Sequence, residues 1–355
     1  MKRSGAVFYA LLITALLVAG IVTAFYFAWQ IGYAQAIFVL VGIILSFILA
    51  PTVHEMGHLW FAKAVKMECV FVKFFCFKLY RKGGKLRFGF ASPFAADQTQ
   101  VVPKVGGNMR SRARLYTLGG LICSGACLVV LAATAVVFGA LGRTSFLLWG
   151  ALPYFGYLFF LNVLPLEYAS GKTDVLIAKG IKNATPAEQT MVAAMEIQGQ
   201  LYEGKSYLEI DESLYFDLPQ LCEDEPMFAV ILDLRYRYYL EKEDLEKAGD
   251  CLNRLAQIQC YMPDKELEKL AAELTYVHSL LGDIERATES GKLCANFLQG
   301  DSLSAKRILL AFSLATGKTE AVEPLIKQAL AARKTERLAG VRKHEELLLD
   351  RLQGV

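Results

Sequence analysis

Two histidines and one glutamate form the pattern in this sequence that is best suited to chemistry. The run His54-Glu55-Met-Gly-His58 places the two histidines four positions apart. Residues four apart on a helix lie on one face, one turn apart, so both imidazoles can bind a single tetrahedral Zn²⁺. Glu55 is positioned to take a proton from a metal-bound water, whose pKa zinc lowers to about 7, and to return it to a leaving amine.

The surroundings of this motif favour a functional role. The chain has only four histidines, and no Asp, Glu, Lys or Arg occurs from Ser4 to Val53. Ionisable groups at membrane depth are costly and are commonly functional. The alternative is a helix end whose polar side chains extend toward water, which explains one polar residue better than three on one turn. The sequence therefore predicts one Zn²⁺ per chain.

The first half of the chain has the composition of a membrane domain. The 355-residue chain is 54% hydrophobic, with a mean hydropathy of +0.35, which excludes a single soluble domain and a disordered chain. Residues 1–174 contain 16 Lys/Arg and 5 Asp/Glu, whereas residues 175–355 contain 22 and 30. A membrane span needs about 20 apolar residues. The long apolar runs predict four spans, at about 6–28, 35–64, 115–141 and 145–166.

The basic residues predict the orientation of these spans in a cell membrane. Lys2 and Arg3 precede the first span, and residues 66–114 carry eleven Lys/Arg against two acids. By the positive-inside rule, this loop, both termini and the C-terminal half face the cytoplasm. A cleaved signal peptide is an alternative for the first span, but that apolar stretch is longer than a usual signal sequence. Because membrane orientation explains the basic residues, no nucleic-acid partner is expected.

Two histidines and a water leave one metal ligand to be found. The acids near the membrane on the same predicted side are Glu68, Asp97, Glu167 and Asp174. The last two follow Pro165, which interrupts the fourth span because proline cannot donate a helical hydrogen bond. Such a break at membrane depth is tolerated where it lines a cavity or a protein interior. An acid just beyond the break could therefore fold back to the metal.

The arrangement resembles the site-2 protease family of intramembrane zinc metalloproteases. The resemblance rests on His54-Glu-Met-Gly-His58 at the end of one span and on Asn162-x-x-Pro165 followed by an Asp two spans later. It covers about residues 35–180 and implies a core of three spans. Its expected site residues are the zinc ligands His54, His58 and Asp174 with Glu167 in reserve, the catalytic base Glu55, and the cleft-shaping Asn162 and Pro165.

The resemblance implies an enzyme. The expected activity is that of a zinc metalloendopeptidase that cleaves transmembrane segments of single-span membrane proteins near the cytoplasmic face, in regulated intramembrane proteolysis. The alternative is a catalytically silent membrane scaffold whose helical-repeat domain docks partner proteins. The intact His54, Glu55 and His58 argue against that alternative.

The segment after the second span predicts a cytoplasmic β-hairpin. Residues 70–80 and 85–90 are rich in aromatic and β-branched residues, and Gly83-Gly84 links them, which is typical of a tight two-residue turn. A sheet edge could hold an unwound substrate segment by strand pairing. The alternative is a hairpin that lies on an anionic lipid leaflet through its Lys and Arg.

The second half predicts a cytoplasmic helical-repeat domain at residues 185–355. Leu, Ala and Tyr recur there at helical spacings. Three segments resemble one another around Ala248, Ala287 and Ala321, with spacings close to the 34-residue tetratricopeptide period. Stacked helical pairs form a groove for a peptide or protein partner, and the alternative is an irregular bundle. The predicted fold is therefore an all-α polytopic membrane domain at 1–180, with one hairpin, followed by a tetratricopeptide-like domain.

Overall fold

The chain divides into two compact units. The computed structural model describes residues 3–82, 85–92, 98–168, 171–261, 264–336 and 338–354. One unit comprises residues Met1–Val102 and Arg110–Thr185, and the other comprises Pro103–Met109 and Pro186–Val355. The short segment 103–109 thus belongs with the second unit. Within that unit, the backbone N–H of Gly107 donates to Glu196 Oε1 at 2.6 Å.

Four helices are long and apolar enough to cross a membrane, which confirms that part of the prediction. They are α1 (Arg3–Ile31), α2 (Tyr33–Ala64), α3 (Met109–Ala140) and α4 (Phe146–Val163). The chain is accordingly a membrane protein of mostly α-helical structure. The break between α1 and α2 lies at Gly32, whose φ of 154° is readily adopted by a residue that has no Cβ.

Helix α3 begins six residues before the predicted span, so Arg110, Arg112 and Arg114 are helical rather than part of a loop. Two of these arginines satisfy carbonyl groups at helix ends. Arg112 Nε donates to Val65 O, just after α2, at 2.8 Å. Arg110 Nε donates to Ile181 O at 2.8 Å. Helix ends leave carbonyls without partners, and cationic side chains stabilise them.

Small residues allow the membrane helices to approach closely. A Cβ added to Gly42 of α2 would collide with Leu147 O of α4, and one added to Gly150 of α4 would collide with Val39 O of α2. On α3, a Cβ at Gly119 would lie 2.7 Å from Gly57 O. Because lipid provides little hydrophobic force between helices, close backbone packing of this kind holds them together. Gly57 and Gly119 bring α3 against the turn that bears the two histidines.

The loop between α2 and α3 contains a sheet larger than one hairpin. Its strands are β1 (Met67–Phe74), β2 (Phe77–Lys82), β3 (Lys85–Phe90) and β4 (Gln98–Pro103), in the order β3-β2-β1-β4. The β1–β2 and β2–β3 pairs are antiparallel, with Phe74 opposite Phe77 and Lys82 opposite Lys85. The predicted Gly83-Gly84 link lies outside the described residues. A single hairpin therefore understates the strand content of this loop.

After α4, the described part of the chain contains a small ribbon of β5 (Glu167–Tyr168) and β6 (Gly171–Lys172), followed by helices joined by turns and loops. The helices are α5 (Asp174–Asn183), α6 (Pro186–Glu203), α7 (Ser213–Phe216), α8 (Pro226–Glu241), α9 (Leu245–Gln257), α10 (Asp264–Leu280), α11 (Ile284–Leu293), α12 (Ala295–Leu298), α13 (Leu303–Ala315), α14 (Val322–Ala332) and α15 (Ala339–Gln353).

Two of the three similar segments share local structure. Asp244 and Asp283 cap α9 and α11 by accepting a backbone N–H three residues ahead, as N-cap residues commonly do. Ala248 and Ala287, four residues beyond each cap, are fully buried. Ala321, by contrast, lies in a short 3₁₀ turn and is only partly buried. The tetratricopeptide-like assignment remains a prediction.

A buried ion cluster links three helices of the second unit. Arg307 on α13 is fully buried and donates to Glu273 of α10 at 2.8 Å and to Glu345 of α15 at 2.7 Å. Tyr236 of α8 also donates to Glu273, at 2.7 Å. Burial alone would raise the pKa of Glu273, but the Arg307 guanidinium holds that pKa below its usual value. Glu273 is therefore ionised at neutral pH.

Arg307→Met is expected to lower the free energy of unfolding by about 3–5 kcal/mol, because it leaves two buried carboxylates without their cation. Hydrogen exchange of the α10 and α13 amides in the full chain measures this change. The matched control is Arg254→Met, which removes a half-exposed pair with Glu223 and should cost about 0–1 kcal/mol. Equal effects of the two substitutions would contradict a stabilising role for the cluster.

Candidate metal centre

Helix α2 positions the histidine pair. His54 and His58 lie one turn apart near its C-terminal end, and their ring planes are inclined at 83° with centroids 4.9 Å apart. The two Nε2 atoms are 3.3 Å from each other. Glu55, between them in sequence, is buried. The helical spacing seen in the sequence thus brings both imidazoles to one point.

The segment between α4 and α5 forms a short ribbon that brings Asp174 to this point. After α4 ends at Val163, the β5–β6 ribbon folds back on itself, and Thr173 N donates to Leu166 O at 3.0 Å. The Thr173 hydroxyl donates to Leu164 O at 2.8 Å and accepts from Leu166 N at 3.1 Å. It also caps α5 by accepting from Leu176 N. Asp174, the first residue of α5, therefore lies beside the end of α4.

The three predicted ligands converge. Asp174 Oδ2 lies 3.2 Å from His54 Nε2 and 3.5 Å from His58 Nε2. A tetrahedral zinc whose ligands lie at about 2.0–2.1 Å has ligand atoms about 3.3–3.4 Å apart. The measured separations match that spacing. Within the described part of the chain, this is the only group of three or more His, Cys, Asp or Glu that could hold a metal ion.

The charge and burial of Asp174 fit a metal cation. Its Oδ2 atom is buried and accepts no well-aligned hydrogen bond from the described residues, although both Nε2 atoms lie within 3.5 Å of it. A buried carboxylate that lacks hydrogen bonds raises the free energy of the folded state, and a bound cation would lower it again. Although burial raises the pKa of a carboxyl, the two imidazoles hold the pKa of Asp174 well below its usual value. Two imidazoles and a carboxylate leave a fourth tetrahedral position for water, as in catalytic zinc sites.

Helix α3 orients both imidazole rings. His54 Nδ1 lies 3.1 Å from the hydroxyl of the buried Ser124, and His58 Nδ1 lies 3.0 Å from the carbonyl oxygen of Tyr116. Such outer partners fix the tautomer and the direction of metal-binding histidines. Here they turn both Nε2 atoms toward Asp174. Ser124 and Tyr116 were missed in the sequence, since nothing local marks them as neighbours of residues 70 and 58 positions earlier.

Gly120 provides the space for the two rings. A Cβ at this position would collide with His58 Nε2 and would lie 2.9 Å from His54 Cε1. We expect Gly120→Ala to displace the imidazoles and to weaken zinc binding about 10–100-fold, the range seen when the surroundings of metal ligands are disturbed. Zinc competition with a chelator measures this change. Gly139→Ala on the same helix is the control, because its Cβ meets no described atom within 4 Å; a similar loss there would contradict the steric explanation.

Strand β4 contacts the predicted catalytic base. The hydroxyl of Thr99 donates a hydrogen bond to Glu55 Oε2. Tyr116 in turn donates its hydroxyl proton to Thr99 O at 2.8 Å. The loop sheet therefore reaches the motif directly, through its edge strand. The sequence contained no signal for Thr99, because β4 was not among the predicted strands.

The remaining predicted site residues are Glu167, Asn162 and Pro165. Glu167, the reserve ligand, is exposed on β5 and is not part of the metal-ligand group. Asn162 donates to Leu158 O within α4 at 3.2 Å. Pro165 stands where the chain leaves α4, so it helps to direct the chain toward the ribbon and Asp174.

Compared with protein-family models, curated proteins and solved structures, the chain matches none. The resemblance to site-2 proteases therefore remains a prediction from the motif residues, and the functional argument rests on the geometry of the candidate metal centre.

Proposed function

We propose that this protein is an intramembrane zinc metalloendopeptidase. The observation that supports the proposal is the convergence of His54, His58 and Asp174 at tetrahedral spacing beside Glu55. The two histidines and the glutamate stand on an apolar helix long enough to cross a membrane. A structural zinc site would instead use four protein ligands, whereas this group offers three.

Each residue of the site has a separate proposed role in peptide hydrolysis. His54, His58 and Asp174 would hold one zinc, which when bound supplies a nucleophilic hydroxide near neutral pH. Glu55 takes the proton from the attacking water and returns it to the amine nitrogen as the C–N bond breaks. Ser124 and the Tyr116 carbonyl keep the imidazoles in place. The chain's own groups thus provide binding, orientation and proton transfer.

The substrate class follows from the position of the centre. A site on a membrane-spanning helix is accessible to peptide bonds that are themselves within or next to the bilayer. A transmembrane helix must unwind before cleavage, because its backbone hydrogen bonds shield the peptide bonds. The edge strand β4, whose Thr99 contacts Glu55, offers backbone groups with which an unwound segment could pair. Single-span membrane proteins, cut near the cytoplasmic face, are the proposed substrates.

The second unit would recruit or regulate substrates. Its helix pairs form the kind of surface that binds peptides or partner domains. In the proposed orientation this unit, together with both termini, is cytoplasmic, as the distribution of Lys and Arg indicates.

Trapping tests the proposal. The Glu55→Gln variant and the wild-type chain are expressed in parallel, and membrane proteins that co-purify with each are identified. The expected result is enrichment of single-span proteins with the variant, and fragments of those proteins with the wild type. Equal capture by both, without fragments, would instead favour a membrane scaffold.

A second experiment tests whether the Thr99 hydroxyl positions the Glu55 carboxylate. Thr99→Val should lower kcat at least about tenfold, because a hydrogen bond to a charged group contributes about 1.5–3 kcal/mol, while KM and zinc content stay unchanged. Thr99→Ser retains the hydroxyl and should restore most of the activity. Loss of activity in both variants, or a change only in KM, would contradict the role.

A further inference from the structure

The register of the loop sheet sorts its side chains onto two different faces. Residues directly opposite each other in an antiparallel pair point to the same side. Leu79 is opposite Phe88, and Phe77 is opposite Phe90. The aromatic face, as defined by the register, comprises Val72, Phe74, Phe77, Leu79, Arg81, Leu86, Phe88 and Phe90. The basic face comprises Phe71, the buried Lys73, Lys78, Tyr80, Arg87 and Gly89.

The aromatic face is exposed along the edge strand β3. Leu86, Phe88 and Phe90 on the edge strand β3 are 55%, 55% and 70% exposed. The Phe88 ring lies 5.5 Å from that of Phe90 and 5.7 Å from that of Phe77. In water, an exposed apolar edge strand promotes aggregation. A cluster of this kind therefore indicates a surface that is covered in the working protein.

The charges of the two faces differ. Strands β2 and β3 contain five Lys/Arg and no Asp or Glu. On the aromatic face, Arg81 forms an ion pair with Glu68 at 2.7 Å. On the basic face, Arg87 is exposed, and Lys78 Nζ lies 5.6 Å from the centre of the Tyr80 ring. The ribbon of β2 and β3 thus combines an apolar side with a cationic side.

The sheet begins at the end of a membrane helix. Strand β1 starts at Met67, three residues after α2 ends. Trp60, in the last turns of α2, is 61% exposed, and Lys63 and Lys66 follow it. A tryptophan followed by lysines is typical of the membrane–water interface. The sheet that contains the ribbon therefore begins at the depth where acyl chains meet headgroups.

We propose that the β2–β3 ribbon lies in this interface, with its aromatic face against acyl chains and its basic face binding anionic phospholipid headgroups. Elements with aromatic residues on one face and Lys/Arg on the other adopt this position, and anionic lipids add electrostatic attraction. Lipid is the occupant because the ribbon is continuous with membrane-spanning helices and its charge is complementary to anionic lipid. The proposal does not depend on the metal centre or on proteolysis.

Photo-crosslinking of the full chain tests both faces. The protein is reconstituted, without other proteins, in vesicles of equimolar phosphatidylcholine and phosphatidylglycerol, and crosslinked peptides are mapped. Headgroup probes on phosphatidylglycerol should label residues 77–90 more than those on phosphatidylcholine, by about fivefold for each contributing cation. Probes within the acyl chains should label residues 86–90. Equal labelling by both headgroups, or none by the acyl probes, would overturn the proposal.

Matched variants separate charge from folding. Lys78→Gln with Arg87→Gln should abolish the preference for phosphatidylglycerol, while Lys78→Arg with Arg87→Lys should keep it. Arg286→Gln with Lys292→Gln, which removes the same charges from exposed positions of the second unit, should leave labelling of residues 77–90 unchanged. Zinc content should stay constant in all of them. A preference that survives the first pair, or is lost in the second or third, would contradict the assignment.

Discussion

Replacing Glu55 by glutamine is expected to abolish cleavage while zinc remains bound. Glutamine has nearly the same shape but cannot accept a proton from water, and general acid–base catalysis contributes about 10²–10⁴-fold. The rate on a co-reconstituted single-span substrate should therefore fall at least about 100-fold. The ligand atoms of His54, His58 and Asp174 are untouched, so elemental analysis should still find one zinc per chain.

The control for this experiment is Glu246→Gln, which removes one negative charge from an exposed position of α9. It should leave the rate unchanged. Cleavage by the Glu55→Gln variant at the wild-type rate would reject Glu55 as the base, and a loss of zinc would show that the residue supports the metal site instead.

Asp174→Asn is expected to weaken zinc binding by more than about 100-fold, since even the outer partners of metal ligands contribute 10–100-fold. The amide keeps the shape of the side chain but removes the negative charge that faces both imidazoles. Zinc affinity, measured by chelator competition on the purified full chain, reports the change. Cleavage should be lost in parallel.

Glu167→Gln is the matched control, because Glu167 is the nearest acid after the same helix break and lies exposed on β5. Its zinc affinity should equal that of the wild type. The opposite pattern, with zinc lost in Glu167→Gln and kept in Asp174→Asn, would show that the reserve ligand is the true one.

The choice between Glu167 and Asp174 as the third metal ligand shows how much of the site could be predicted from the sequence. Both follow Pro165, and by position along the chain Glu167 is the nearer. In the structure, the hydrogen bonds of Thr173 to Leu164 and Leu166 close the intervening residues into a ribbon. The chain therefore returns to the end of α4 at Thr173, and Asp174 enters the site from the first turn of α5.

The sequence by itself determined the four apolar helices and the shared face of His54 and His58. Both follow from local rules: a chain in lipid must satisfy its own backbone groups within a helix, and the helical period places residues four apart together. The family resemblance named Asp174 as an expected ligand, and the tertiary structure brings it to the histidines. Tertiary structure alone decided that Gly120, Ser124 and Tyr116 surround them and that Thr99 meets Glu55. These contacts join residues far apart in the chain, and no periodicity encodes them, because they depend on how closely α2, α3 and the loop sheet pack.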